Sequence, residues 1–134
     1  MVKFTYEMRE MIAKVKVMAL ATATKEGNPN VVPVSFTRVI SDDEILLMDN
    51  YMNKTRANLD TNPLVALSVW DLDKHMGYQF KGKVRIETSG ELFKQGLQWV
   101  KERRPKATPR AAIVVSVAEI YLVGSDANAG TRIQ

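Results

Sequence analysis

The chain has 134 residues, 46% of them apolar, and no cysteine, so one domain with a real core is expected, while disulfides, thiolate metal sites and cysteine nucleophiles are excluded. Its net charge of +4 is scattered, and the densest basic group (Lys101, Arg103, Arg104, Lys106 and Arg110, with Glu102 among them) suits a solvated face or a loop meeting an anionic ligand better than a nucleic-acid stripe. No run of about 18 apolar residues occurs, and Met1-Val2-Lys3-Phe4 leads into a charged amphipathic segment without an export signal, so a cytoplasmic location is expected.

Phe4 to Lys14 carries apolar residues at Phe4, Met8, Met11 and Ile12, the spacing of a helix with one buried stripe. Val17 to Thr24 reads as a strand rich in small residues. Lys25-Glu26-Gly27-Asn28 is a hairpin turn in which Gly27 can take positive φ. Asn30 to Ile40 returns as a second strand, Ser41-Asp42-Asp43 turns again, and Glu44 to Asp49 is the third. A short helix follows and stops at Asn62-Pro63, because the residue before proline is pushed out of the helical region. Leu64 to Trp70 is a fourth strand, apolar enough to be covered on both faces. Tyr78 to Thr88 is a long fifth, with Gly82 marking a bend or a close approach. Leu92 to Arg103 has helical spacing, Lys106 to Arg110 is a loop, and Ala111 to Val123 is the last strand. Residues 1–123 form the expected domain, and 124–134, small and polar, read as a tail. About six strands, mostly joined by hairpins, argue for a barrel or sandwich, not a doubly wound parallel sheet.

The stretch from Asp49 to Pro63 carries the most chemistry. It leaves the apolar run Ile45-Leu46-Leu47-Met48 and opens a helix with a capping residue, a cation and a hydroxyl: Asn53, Lys54 and Thr55. Asn53 is expected to cap the first turn. The free amides and the helix dipole there favour a negative charge. A terminal phosphate needs that combination, although a surface helix with the same residues is common and usually only structural.

Pro33 lies inside Val31 to Phe36 and cannot donate to a sheet ladder, so it belongs at an edge or bulge. Two readings stand: an edge blunted against aggregation, or a site where backbone groups of Val32, Val34 and Ser35 meet a flat polar ring. His75, the sole histidine, sits among Asp71, Asp73 and Gly77 in what reads as an exposed loop, without the converging ligands that a metal site needs. The nucleophile elbow, the Rossmann glycines and the P-loop are absent. Trp99 is either core or an interface residue.

With these elements in place, the chain resembles the pyridoxamine 5'-phosphate oxidase-like FMN-binding split-barrel family. The resemblance runs from about Val17 to Val123. It is carried by Leu20 to Pro29, by Asp49 to Pro63 continuing to Trp70, and by Tyr78 to Val84. The chain is also similar to the small FMN-binding proteins of anaerobes, which carry a comparable Lys-Thr at the helix start. The resemblance implies a mainly β, six-stranded antiparallel split β-barrel of Greek-key type with a few short helices. It implies a homodimer with FMN at the interface. By position, Lys54 and Thr55 would hold the phosphate. Backbone at Val32, Pro33, Val34 and Ser35, and at Met48, Asp49 and Asn50, would face the flavin and its ribityl chain. Gln79 would reach it from the long strand, and Trp99 and the Arg104-to-Arg110 loop are candidates for partner-chain contacts.

The chain departs from the vitamin B6 oxidases at two points. Lys54-Thr55 stands where they show an arginine-lysine pair, and their C-terminal Trp-x-x-x-Arg-Leu-x-Pro signature is missing from Asp126 to Gln134. The resemblance therefore supports a cofactor better than a substrate. A redox enzyme or electron carrier is the first expectation. A non-catalytic binding or sensor module for another planar anion, a deazaflavin or haem, is the second. A basic structural or nucleic-acid-associated domain is the third.

Overall fold

The computed structural model describes all residues from Met1 to Gln134. The elements are α1 (Tyr6–Lys14), β1 (Met18–Ala23), β2 (Pro29–Val34), β3 (Thr37–Val39), β4 (Glu44–Asp49), α2 (Lys54–Thr61), β5 (Leu64–Asp71), β6 (Met76–Glu87), α3 (Glu91–Arg103) and β7 (Ala111–Gly124).

All seven strands form one sheet in the order β2-β1-β5-β6-β7-β4-β3, and every pairing is antiparallel. The two edge strands are neighbours in the chain, separated only by Ser35 and Phe36. In a flat sheet six strand spacings would hold them about 29 Å apart. The link from Val34 to Thr37 spans at most about 11 Å. The sheet must therefore curl until its edges meet, leaving a seam between β2 and β3. That is a split barrel.

The expected six strands become seven at this seam. The segment Asn30 to Ile40, read as one strand, is two. β2 pairs with β1, and β3 pairs with β4 on the opposite edge. The in-and-out alternation slips by one residue between Phe36 and Thr37, with even-numbered residues turned inward in β2 and odd-numbered ones in β3, a mark that a bulge in one continuous strand would leave as well.

The interior is filled by inward residues of the strands, among them Leu20, Ile45, Leu47, Leu67, Val69, Phe80, Ile113 and Val115. Phe4 with Met8, Met11 and Ile12 of α1 joins this cluster. The helix starts where Thr5 Oγ1 accepts the Met8 amide at 3.2 Å. A second cluster lies outside the barrel, where Trp99 and Val100 of α3 cover Leu46, Met48, Ala112 and Val114. β4 and the first part of β7, from Ala111 to Val115, are thus buried on both faces, which explains their unbroken apolar runs. Burial of each such side chain contributes about 1.5–3 kcal/mol.

Residues 124–134, read as a tail, fold back along β7. Tyr121 bridges Arg132, Leu122 donates to the Thr131 carbonyl at 2.8 Å, and Gln134 exchanges hydrogen bonds with Lys3. No helix is long and apolar enough to cross a membrane.

Candidate cofactor-binding cleft

The turn from β4 into α2 builds one wall of a cleft. Its anchor is Asp49, whose side chain is fully buried. Asp49 accepts the Met52 amide at 2.9 Å, an Arg56 guanidinium at 3.1 Å and the Arg110 guanidinium at 2.9 Å. Arg110 also donates to the Met52 carbonyl. Burial opposes the charge on Arg56, but the carboxylates of Asp49 and Asp60 outweigh it and raise its pKa. The turn is held closed from both ends.

The expected cap is not made. Asn53 has φ −116° and ψ −87°, and its side chain bonds no amide of the helix. The first helical bond runs from the Ala57 amide to the Asn53 carbonyl at 3.0 Å. The amides of Lys54, Thr55 and Arg56 consequently have no acceptor in the protein, the ordinary state of a first turn left uncapped. The Asn53 side chain takes none of them.

Thr55 faces inward and is almost fully buried. Asn30 Nδ2 donates to its hydroxyl at 3.1 Å, and Asn58 Nδ2 donates to Thr22 Oγ1 at 3.0 Å. These bonds tie α2 to β1 and β2. The Thr55 hydroxyl keeps its own proton to donate.

The opposite wall is β2 and the seam. β2 has one neighbour, so its other edge carries unpaired backbone groups. Pro33, whose missing N–H requires an edge, sits there in register with Ala19. Between the walls lies a cleft of about 330 Å³. It brings together Val32, Pro33, Val34 and Ser35 with Met48, Asn50, Lys54 and Thr55. Lys54 and Arg104 are its charges, and no carboxylate lines it. Asn50 Oδ1 is buried at this wall without a donor, and such an orphan acceptor is costly until something donates to it.

Three predicted residues lie elsewhere. Asp49 is behind the wall, paired to arginines. Gln79 is on β6, in register with Ser68 and Tyr121, and lines a different groove with Lys81. Trp99 packs edge-on against Phe36, ring centres 5.4 Å apart, and lines a neighbouring cavity. His75 takes φ 52° in the exposed turn after β5. The cleft adds Phe36, Tyr51, Met52, Asn53 and Arg104. Tyr51, Met52 and Asn53 belong to the stretch already singled out. Arg104, a candidate for partner contacts by resemblance, reaches the cleft of its own chain because α3 packs on β4.

The sequence profile of pyridoxamine 5'-phosphate oxidase matches residues 4–124. The chain belongs to the pyridoxamine 5'-phosphate oxidase family. An uncharacterized protein of Methanocaldococcus jannaschii, MJ0282, is 36% identical over 134 residues, covering 98% of this chain and 89% of its own. Among family-like folds, HupZ of Group A Streptococcus has a TM-score of 0.83 at 28% identity, covering 95% of this chain and 99% of that one. An FMN-binding protein of Syntrophomonas wolfei has a TM-score of 0.80 at 20% identity, covering 89% and 85%. The same fold, at under 20% identity, is found in an F420 reductase and in the haem storage protein HutZ of Vibrio cholerae. Proteins that share this fold thus include ones named for different planar cofactors.

Proposed function

We propose that the cleft binds FMN and that the protein is a redox protein, an oxidoreductase or an electron carrier. The observation that carries this reading is the uncapped first turn of α2, with three amides and Lys54 at one end of a cleft that holds no acid. That end suits a phosphate dianion. The free edge of β2 and the orphan Asn50 acceptor suit the polar rim of a planar ring or its hydroxylated chain. Bound flavin supplies electron transfer; the protein binds it, orients it and sets the charge around it. Lys54 and Arg104 raise affinity for the dianion, Thr55 donates from the helix, and the apolar side chains of Val32, Val34 and Met48 keep water from the ring.

The family reading also supports a homodimer. The outer face of β1, β2 and β5 carries no helix and presents Val17, Val31 and Leu64 to solvent. A second copy on that face would bury them and would give Gln79 a route to the partner's cofactor. Haem is the less supported alternative, because the cleft contains no histidine, the commonest axial ligand.

The test is the absorption spectrum of protein as isolated and after reconstitution with FMN. A flavin spectrum bleached by dithionite supports the reading. Failure to retain FMN, or selective uptake of a deazaflavin or haem, rejects it.

A further inference from the structure

A second cavity, of about 290 Å³, adjoins the cofactor cleft, and Ser35 lines both. Its walls come from α1, the segment after it, β3 and α3. Ile12, Val15 and Val39 supply apolar surface. Lys16, Arg38 and Arg103 supply charge, and none of the three is in an ion pair. Arg9 also lines the cavity but is committed to Asp42 at 3.2 Å. No carboxylate lines it.

Trp99 completes the wall. It is 7% exposed, and its Nε1–H is buried with no acceptor. The Arg38 guanidinium rests 4.4 Å from the ring centre. A buried donor without an acceptor is rare and costly, and the three cations around the hollow have no counter-charge in the protein. One addition answers both: an oxyanion that accepts from the indole and pairs with the cations. The apolar surface sets a further condition, because a bare inorganic anion would leave Ile12, Val15 and Val39 facing water.

We propose that this cavity binds a small organic carboxylate with an apolar, ring-sized body. Arg38 turns to pair with the carboxylate, and the indole N–H, which has no acceptor in the protein, is the donor for its second oxygen. The floor of α1 and β3 takes the apolar body. The site stands whether or not the neighbouring cleft holds a flavin.

Calorimetric titration of the full chain with sodium benzoate, and separately with sodium sulfate, tests the assignment. Benzoate is expected to bind saturably, one per chain, and more tightly than sulfate. Arg38→Gln should weaken benzoate about tenfold, and Trp99→Phe, which keeps a ring and loses only the N–H, about threefold to tenfold. Lys54→Ala should leave benzoate affinity unchanged, which separates this site from the cofactor cleft. Absence of saturable binding overturns the proposal, as does sulfate binding equal to benzoate. Binding lost in Lys54→Ala but kept in Arg38→Gln overturns it as well. Arg38 is exposed, so that variant carries the test even if Trp99→Phe fails to fold.

Discussion

Arg110 Nη2 lies 2.9 Å from Asp49 Oδ1 across 61 residues of chain. The contact joins the residue before β7 to the last residue of β4, and a backbone bond from the Arg110 amide to the Asp49 carbonyl, also 2.9 Å, runs beside it. With Arg56 on the second carboxylate oxygen, Asp49 decides where the first turn of α2 points. It is a positioning residue, one layer behind the cleft.

Asp49→Ala takes one of two acceptors from each of two guanidiniums and leaves the Met52 amide with none. The expected loss of stability is about 2–4 kcal/mol, under the range for fully buried pairs because both arginines are partly exposed. Urea unfolding measures it. A loss under about 0.5 kcal/mol, the scale of ordinary surface changes, would refute the clamp.

Lys54→Ala removes the cation at the helix start but keeps helix propensity high. If the cleft takes FMN, affinity should fall by about 1.5–3 kcal/mol, the value of a hydrogen bond to a charged group. Titration of FMN fluorescence reads this directly. Unchanged affinity would move the phosphate away from α2.

Asp71 should govern acid stability. The Lys14 ammonium sits 3.1 Å from Asp71 and 3.0 Å from Asp73. Burial alone would raise the Asp71 pKa, but the Lys14 bond and the amides of Asp73 and Lys74 outweigh it and hold the carboxyl below its ordinary value. A depressed carboxyl stabilises the fold above its unfolded pKa, and that stabilisation is lost as pH falls through the folded one. Melting temperature is therefore expected to drop on acidification below about pH 4, and Asp71→Asn should make the profile shallower there. Parallel profiles for the two proteins would exclude this source.

Gly82 sits at the register shift between β6 and β7. A Cβ at this position would meet the Ser116 carbonyl carbon at 2.8 Å and the Val117 Cα at 3.0 Å. The obstacle is backbone, which cannot rotate away as a side chain can. Gly82→Ala is expected to cost about 1–3 kcal/mol, read from denaturant midpoints, and a neutral result would mean the strands part easily.

Much of this was legible in the residues alone. The 3.6-residue spacing of Met8, Met11 and Ile12 and the apolar runs of β4, β5 and β7 reflect local periodicity, and periodicity survives in one dimension. Gly82 was readable as a close approach because a glycine inside a long strand has few other reasons to be there. The stretch from Asn50 to Thr55 was readable as one wall of the cleft because its residues are contiguous.

The failures share a cause. Asn53 looked like a cap, but its backbone angles answer to the Asp49 clamp, whose arginine comes from 61 residues away. Trp99, which the residues left as core or interface, is packed by α3 against Phe36 and lines the second cavity. The break at Ser35 and Phe36 left only a one-residue slip in the alternation, which a bulge within a single strand leaves as well.

Taken by itself, the order of residues determined which segments become strands and helices, which faces are apolar, and where a cation stands at the start of a helix. Only the tertiary structure decided that the edges of the sheet meet, that β2 faces the α2 turn across a cleft, and that Arg104 joins Lys54 there. Those are distances between segments far apart in the chain, set by barrel closure and ion pairing, and no local pattern encodes them.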